Sequence, residues 1–176
     1  MKIAMIEDKI LAFADLGPEY LDRGTFFGDG VYEVLRSYNG KIFALEEHLQ
    51  RFERSLAEIE INAIDIRQIR QRIETAFEKA GIADACIYFH ITRGSAPRKQ
   101  NWDDTIRPNF FLTVTELPDD RAAKTRGCAV STFPDWRWKR CDIKSLNLLA
   151  NVLARQDAAK KGCDEAILVD ENGLIT

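Results

Sequence analysis

Apolar residues recur with helical spacing in three parts of the chain, which predicts helices at about 45–59, 66–80 and 145–161. Asp65 can cap the second of these helices, and a glycine directly follows both the second and the third. The apolar stripes consist of Leu45, Leu49, Phe52, Leu56 and Ile59, of Ile66, Ile69, Ile73, Phe77 and Ala80, and of Leu146, Leu149, Ala150, Leu153 and Ala154.

Short segments rich in β-branched and aromatic residues predict strands between these helices. The segment 31–38 alternates as a strand does, so that Tyr32, Val34 and Arg36 are expected to share one face of a sheet. The dipeptide Asn39-Gly40 that follows is typical of a hairpin turn. The predicted strands are 2–6, 9–13, 31–38, 41–43, 85–93, 109–116, 129–133, 166–169 and 174–175.

The order of these elements predicts an α/β protein in two blocks. We expect an N-terminal α/β domain over 1–117, in which a mostly antiparallel sheet packs against two helices. A polar segment that contains a proline predicts a linker at 118–121. Residues 122–176 are then expected to form the first part of a second β/α domain.

The composition does not change the predicted fold, but it argues against several classes of function. The 176 residues are 45% hydrophobic and 30% charged, with a formal net charge of −3, which gives no sign of nucleic-acid binding. No apolar run has the length of a membrane span, and the N-terminus lacks the pattern of a signal peptide, so we expect a cytoplasmic protein. The four cysteines have no C-x-x-C spacing and there are only two histidines, so no metal site is expected.

Two segments have the composition of binding loops. Gly24, Gly28 and Gly30 precede the strand 31–38, where glycines allow tight turns and close approach of a ligand, although their spacing is not a dinucleotide-binding fingerprint. The basic loop 94–102 contains Arg98, whose planar guanidinium can bind a carboxylate through two hydrogen bonds.

Several stretches together resemble one family. The chain as a whole is similar to the class IV, fold-type IV pyridoxal-phosphate-dependent aminotransferases, and residues 87–98 most resemble the D-amino acid members. The stretches that carry the resemblance are Asp22-Arg23-Gly24 with Gly28-Asp29-Gly30-Val31-Tyr32-Glu33, Glu46-Glu47-His48-Leu49-Gln50-Arg51, Asp142-Ile143-Lys144-Ser145-Leu146-Asn147 and Asp164-Glu165-Ala166-Ile167-Leu168.

The resemblance implies a role for individual residues. Lys144, directly before the third predicted helix, matches the lysine that holds pyridoxal 5'-phosphate as a Schiff base and later acts as general acid and base. Arg51 matches the arginine that binds the cofactor phosphate. Tyr32 and Arg98 match residues that bind the substrate carboxylate, and Tyr88 matches a tyrosine near that pocket. The loop of Arg98 reaches into the partner subunit in this family, which implies a homodimer.

Two departures from the family pattern qualify the function. Gln100 stands where D-amino acid aminotransferases have a histidine, and glutamine donates a hydrogen bond but brings no charge. The family pattern also continues past Thr176, into a glutamate that pairs with the pyridinium nitrogen, so we expect this chain to be either a fragment of a longer protein or an inactive remnant.

The resemblance implies transamination between a D-amino acid, such as D-alanine, and a 2-oxo acid. A branched-chain L-amino acid aminotransferase and an aminodeoxychorismate lyase of the same fold are the alternative enzymes, and an inactive truncated fragment is the alternative of another class.

Overall fold

A computed structural model describes residues 2–62, 64–117 and 121–176. The helices are α1 (Arg23–Phe27), α2 (Leu45–Glu58), α3 (Ile66–Ala80), α4 (Arg121–Arg126) and α5 (Leu149–Lys160). The strands are β1 (Ile3–Ile6), β2 (Lys9–Ala12), β3 (Gly30–Tyr38), β4 (Lys41–Ile42), β5 (Ala85–Thr92), β6 (Asn109–Glu116), β7 (Val130–Pro134) and β8 (Glu165–Val169). The strands predicted at 2–6 and 9–13 are present as the antiparallel pair β1–β2.

An antiparallel sheet of four strands in the order β4-β3-β5-β6 forms the first block. Its buried face packs against α2 and α3, whose apolar stripes supply one side of the core. Strand β3 alternates as predicted, with Val31 and Leu35 fully buried, whereas Tyr32 lies on the opposite, half-exposed face. The antiparallel sheet and the two helices of the first predicted block are therefore confirmed.

The second block contains the parallel pair β7–β8, connected through α5, which contacts both strands. The segment 174–175 contributes only an isolated bridge between Val169 and Ile175, not a full strand. Most of the predicted linker, at 118–120, lies outside the described residues. The division into two domains therefore stays a prediction.

The third helix begins four residues later than the sequence pattern predicts. Ser145 and Leu146 are not helical, because Ser145 bridges to Val31 and the Leu146 N–H donates to the Gly30 carbonyl at 3.0 Å. The face predicted to be buried is also wrong in part, since Leu149 is 72% exposed whereas Ala154 is buried. Pairing with the edge of β3 has overridden the helical periodicity.

Two short α-helices among the described residues were not predicted. The segment before β3, expected as a turn, contains α1, because the Asp22 side chain caps it by accepting from the Gly24 N–H at 2.6 Å. Helix α4 begins at Arg121, which was predicted to be the last residue of the linker.

In the described parts of the chain, none of the helices has the length and apolar character needed to cross a bilayer. The same residues include no group of three or more His, Cys, Asp or Glu side chains placed to hold a metal ion.

Candidate active site

The backbone of Lys144 is fixed between the sheet and a helix. Its carbonyl accepts a hydrogen bond from the Tyr32 N–H on β3 at 3.0 Å. Its N–H donates to the Ser55 hydroxyl on α2 at 3.2 Å. Because both flanking elements belong to the packed core, the position from which the lysine side chain extends is well defined.

The Lys144 side chain is half-buried and lies against an aromatic ring. Its Nζ is 4.2 Å from the centroid of the Tyr32 ring, within the range of a cation–π contact. Both residues line a cleft of about 190 Å³, which also includes Arg137, Trp138 and Asn151. A primary amine is thus presented in a cleft bordered by both blocks of the chain.

Arg51 is bound by a carboxylate that has no exposure to solvent. The Glu33 side chain is 0% exposed and accepts from Arg51 Nε at 2.5 Å and from Arg51 Nη2 at 2.6 Å. His48 Nδ1 lies 2.8 Å from the same carboxylate. The Arg51 side chain is 43% exposed, so one edge of its guanidinium binds Glu33 and the other edge is open to solvent.

The contacts with Arg51 and His48 determine the protonation state of Glu33. Burial by itself raises the pKa of the carboxyl, but the hydrogen bonds from Arg51 and His48 outweigh burial and leave the pKa lowered. The hydrogen bond to Glu33 raises the pKa of Arg51. The pair is therefore ionised at neutral pH, and Arg51 keeps a fixed positive charge at this position.

The residues present fit a cofactor that carries both an aldehyde and a phosphate. Lys144 supplies the amine, and Arg51 lies one helical turn before Ser55, the residue that holds the lysine backbone, on the same face of α2. Nη1 of Arg51 has no hydrogen-bond partner among the described residues. An amine and a guanidinium with an open donor suit pyridoxal phosphate.

The half-exposed face of the sheet carries an aromatic cluster next to Lys144. The Tyr32 and Tyr88 rings are 5.9 Å apart, and the Tyr88 hydroxyl is hydrogen-bonded to His90 Nδ1 at 2.9 Å. Burial raises the pKa of Tyr88 and lowers the pKa of His90, so both are neutral near pH 7. The structure brings Tyr32 to Lys144 directly and Tyr88 only through Tyr32.

Arg98 and Gln100 lie elsewhere on the chain. Both are exposed in the loop between β5 and β6, and the Arg98 guanidinium is 5.2 Å from the centroid of the Phe27 ring. Gln100 lines a neighbouring cleft of about 370 Å³ that shares Asn147 with the lysine cleft. Neither residue lines the cleft of Lys144 within this single chain.

Gly28 packs closely against Asn147, three residues after Lys144. It has a φ of 65°, and a Cβ at this position would lie 2.4 Å from Asn147 Oδ1. Asn147 Nδ2 also donates to the Gly28 carbonyl at 3.4 Å. A glycine is therefore required here both for the backbone conformation and for the close approach of Asn147.

Sequence reasoning missed three residues that support the site, namely Glu33, Ser55 and Asn147. Glu33 had a detectable signal, because it alternates with Val31 and Leu35 and so falls on the core face of a predicted strand. A charged residue at such a position needs a buried partner. Ser55 and Asn147 gave no comparable signal, since their roles depend on which segments meet in space.

The Lys144 amine lines a cleft on this mixed α/β framework, whereas Arg51 does not line that cleft and lies on the adjoining helix α2. The sequence pattern of the family described as Amino-transferase class IV matches residues 30–176. The chain belongs to the class IV aminotransferase family.

A D-alanine aminotransferase from Bacillus licheniformis is 36% identical to this chain over 177 residues. The match covers 100% of this chain and 62% of that protein. This chain therefore spans less than two thirds of the length of that relative.

Solved structures show the same fold. A PLP-bound hypothetical aminotransferase from Mycobacterium tuberculosis superposes with a TM-score of 0.76 at 22% identity, covering 95% of this chain and 61% of that one. A branched-chain amino acid aminotransferase from Escherichia coli gives a TM-score of 0.78 at 20% identity, covering 96% and 60% of the two chains. The predicted α/β fold of the fold-type IV aminotransferases is thereby confirmed.

Proposed function

We propose that the native protein transfers an amino group from a D-amino acid, such as D-alanine, to a 2-oxo acid with pyridoxal 5'-phosphate as cofactor. The observation that carries the proposal is the Lys144 amine, held against Tyr32 in a cleft, with Arg51 outside the lining of that cleft on the adjoining helix α2. Membership of the class IV family and the similarity to a D-alanine aminotransferase support the same reaction.

Pyridoxal phosphate, when bound, supplies an electron sink for the electrons released at the substrate Cα. The chain's own residues hold and serve the reacting centre. Lys144 would hold the cofactor through its amine, and the free amine would take the proton from Cα of the amino donor and, in the second half of the reaction, deliver a proton to Cα of the 2-oxo acid. Arg51 would hold the phosphate with the side of its guanidinium that Glu33 leaves open. Tyr32 orients the lysine amine and contacts the substrate.

We further propose that substrate binding requires a homodimer. Arg98 and Gln100 are exposed and lie outside the Lys144 cleft of their own chain, so a second copy has to bring them to the substrate carboxylate. Arg98 would form paired hydrogen bonds with the carboxylate, and Gln100 would donate one more. Tyr88 supports Tyr32 through ring contact.

We place the protein in the cytoplasm.

The test is a stereochemical assay of the native-length protein loaded with pyridoxal phosphate. We expect transfer from D-alanine to 2-oxoglutarate and little transfer from L-alanine or L-leucine. Preference for L-leucine would instead favour the branched-chain aminotransferase alternative. Pyruvate release from 4-amino-4-deoxychorismate would favour the lyase alternative. Absence of transamination with every amino donor would contradict the proposal.

A further inference from the structure

The partly buried carboxylate of Asp29 binds two buried arginines that contact the loop carrying Arg98. Asp29 Oδ2 lies 2.7 Å from Arg23 Nε and 2.9 Å from Arg93 Nε. The exposed fractions of the Arg23 and Arg93 side chains are 3% and 7%. Burying two guanidinium groups is costly unless their remaining N–H groups have partners, so the other contacts of these arginines matter.

The remaining donors of Arg23 reach the loop backbone. Nη1 donates to the Lys99 carbonyl at 2.6 Å, and Nη2 donates to the Gln100 carbonyl at 3.0 Å. The Asn101 carbonyl lies 3.5 Å from Nη1. Arg93 contacts the end of the same segment, with its guanidinium carbon 3.8 Å from the centroid of a Trp102 ring.

The side chains of this loop are exposed to solvent, whereas its backbone is hydrogen-bonded to the buried Arg23. Arg98 and Gln100 are both exposed. The Phe27 ring contacts the guanidinium groups of both Arg23 and Arg98, at 5.0 and 5.2 Å from its centroid. Because a guanidinium donates in a fixed planar fork, Arg23 sets the direction of successive loop carbonyls in a way that a flexible ammonium does not.

We propose that Arg23, with the Phe27 ring against it, is a positioning residue for recognition of the substrate carboxylate. It fixes the backbone of 99–101, and thereby the placement of Arg98 and Gln100, without touching the substrate. This inference rests on the proposed function, which assigns Arg98 and Gln100 to the carboxylate. It adds a determinant of substrate affinity located in α1, away from Lys144.

The first test compares Arg23→Lys with the parent in the native-length holoenzyme. Lysine keeps the charge opposite Asp29 but loses the fork. We expect the KM for D-alanine to rise roughly tenfold, which corresponds to about 1.4 kcal/mol. The kcat and the affinity for pyridoxal phosphate should stay within about twofold of the parent. Arg67→Lys, at a 91% exposed arginine of α3, is the control and should match the parent.

A double-mutant cycle with Arg98→Ala separates positioning from general damage. If Arg23 acts through Arg98 and Gln100, then Arg23→Lys should raise the KM less in Arg98→Ala than in the parent, because only the Gln100 contact remains to be misplaced. Independent, additive effects of the two substitutions would overturn the inference. Equal losses of kcat, cofactor affinity and KM in Arg23→Lys would also overturn it, because they indicate a merely structural role.

Two further measurements keep the inference testable on its own. Amide hydrogen exchange of 98–101 should be faster in Arg23→Lys than in the parent, whatever the substrate, and unchanged exchange would overturn the inference. If Arg23→Lys does not fold, Phe27→Leu replaces it as the test, because this substitution keeps the Arg23–Asp29 pair. Phe27→Leu should also raise the KM, and an unchanged KM would contradict the inference. If the unsubstituted protein uses another amino acid, that result contradicts only the D-amino acid assignment. The KM comparison is then made with that amino acid.

Discussion

Glu33 and Arg51 form a two-point ion pair in which the carboxylate is completely buried and the guanidinium is partly open to solvent. The pair links the central strand β3 to helix α2 at the level of Lys144. One side of the guanidinium is thus occupied by the protein and the other is available to an anion.

Replacing Glu33 by glutamine should destabilise the protein by about 2 kcal/mol, because a fully buried group loses its charge-assisted hydrogen bonds to Arg51 and His48 while the partly exposed Arg51 can be solvated. Urea unfolding of the native-length protein measures this change. Glu46→Gln, in an exposed ion pair with Arg70, is the matched control and should cost less than about 1 kcal/mol. Equal effects of the two substitutions would contradict the assigned role of the pair.

The same pair predicts how stability depends on pH. The folded state lowers the pKa of Glu33 from 4.5, so the stabilisation is fully present above pH 4.5. It is lost as the pH falls below 4.5 and through the folded pKa, because protonation then removes the charge that Arg51 and His48 bind. Thermal unfolding at several pH values should show a smaller acid-induced loss for Glu33→Gln than for the parent. Parallel curves would argue against this account.

Arg51→Lys should weaken retention of pyridoxal phosphate far more than substrate affinity. A lysine keeps the charge but cannot contact Glu33 and a phosphate with one planar group. Equilibrium dialysis should show a dissociation constant for the cofactor raised roughly tenfold or more, as for loss of about 1.4 kcal/mol. Arg54→Lys, on the same helix, should leave it unchanged. A selective rise in the KM for the amino acid would instead place Arg51 at the substrate.

Gly28→Ala and Gly162→Ala form a matched pair. Both glycines have a positive φ, 65° and 72°, so each alanine should cost about 1 kcal/mol of backbone strain. Only at Gly28 does the added Cβ meet Asn147, whereas nothing lies within 4 Å at Gly162. We expect Gly28→Ala alone to weaken cofactor binding, measured by dialysis. Equal cofactor binding in both variants would show that the Asn147 contact is unimportant.

Gln100→His should lower the KM for D-alanine if the second copy presents this position to the carboxylate. An imidazolium adds charge to a hydrogen bond that glutamine makes as a neutral donor. Steady-state kinetics at pH 6 and pH 8 should show the larger gain at pH 6, where histidine is more often protonated. Lys99→His, at the neighbouring exposed position, is the control. An unchanged KM for Gln100→His would remove this residue from the substrate site.

The sequence predicted the elements whose hydrophobic period is decided locally. Helix α3 and strand β6 occupy the predicted ranges, and α2 ends one residue before its predicted end. The start of α5 could not be predicted, because Ser145 and Leu146 pair with a strand more than a hundred residues earlier. The resemblance supplied Lys144 and Arg51 as candidate residues, but not the buried carboxylate that orients Arg51.

The most direct test of the central claim is the site of covalent attachment of pyridoxal phosphate. The native-length protein is incubated with the cofactor, reduced with borohydride, digested and analysed by mass spectrometry. We predict a single reduced adduct on the peptide that contains Lys144, and its loss in Lys144→Ala. An adduct on another lysine, or one that persists in Lys144→Ala, would contradict the assignment of this site.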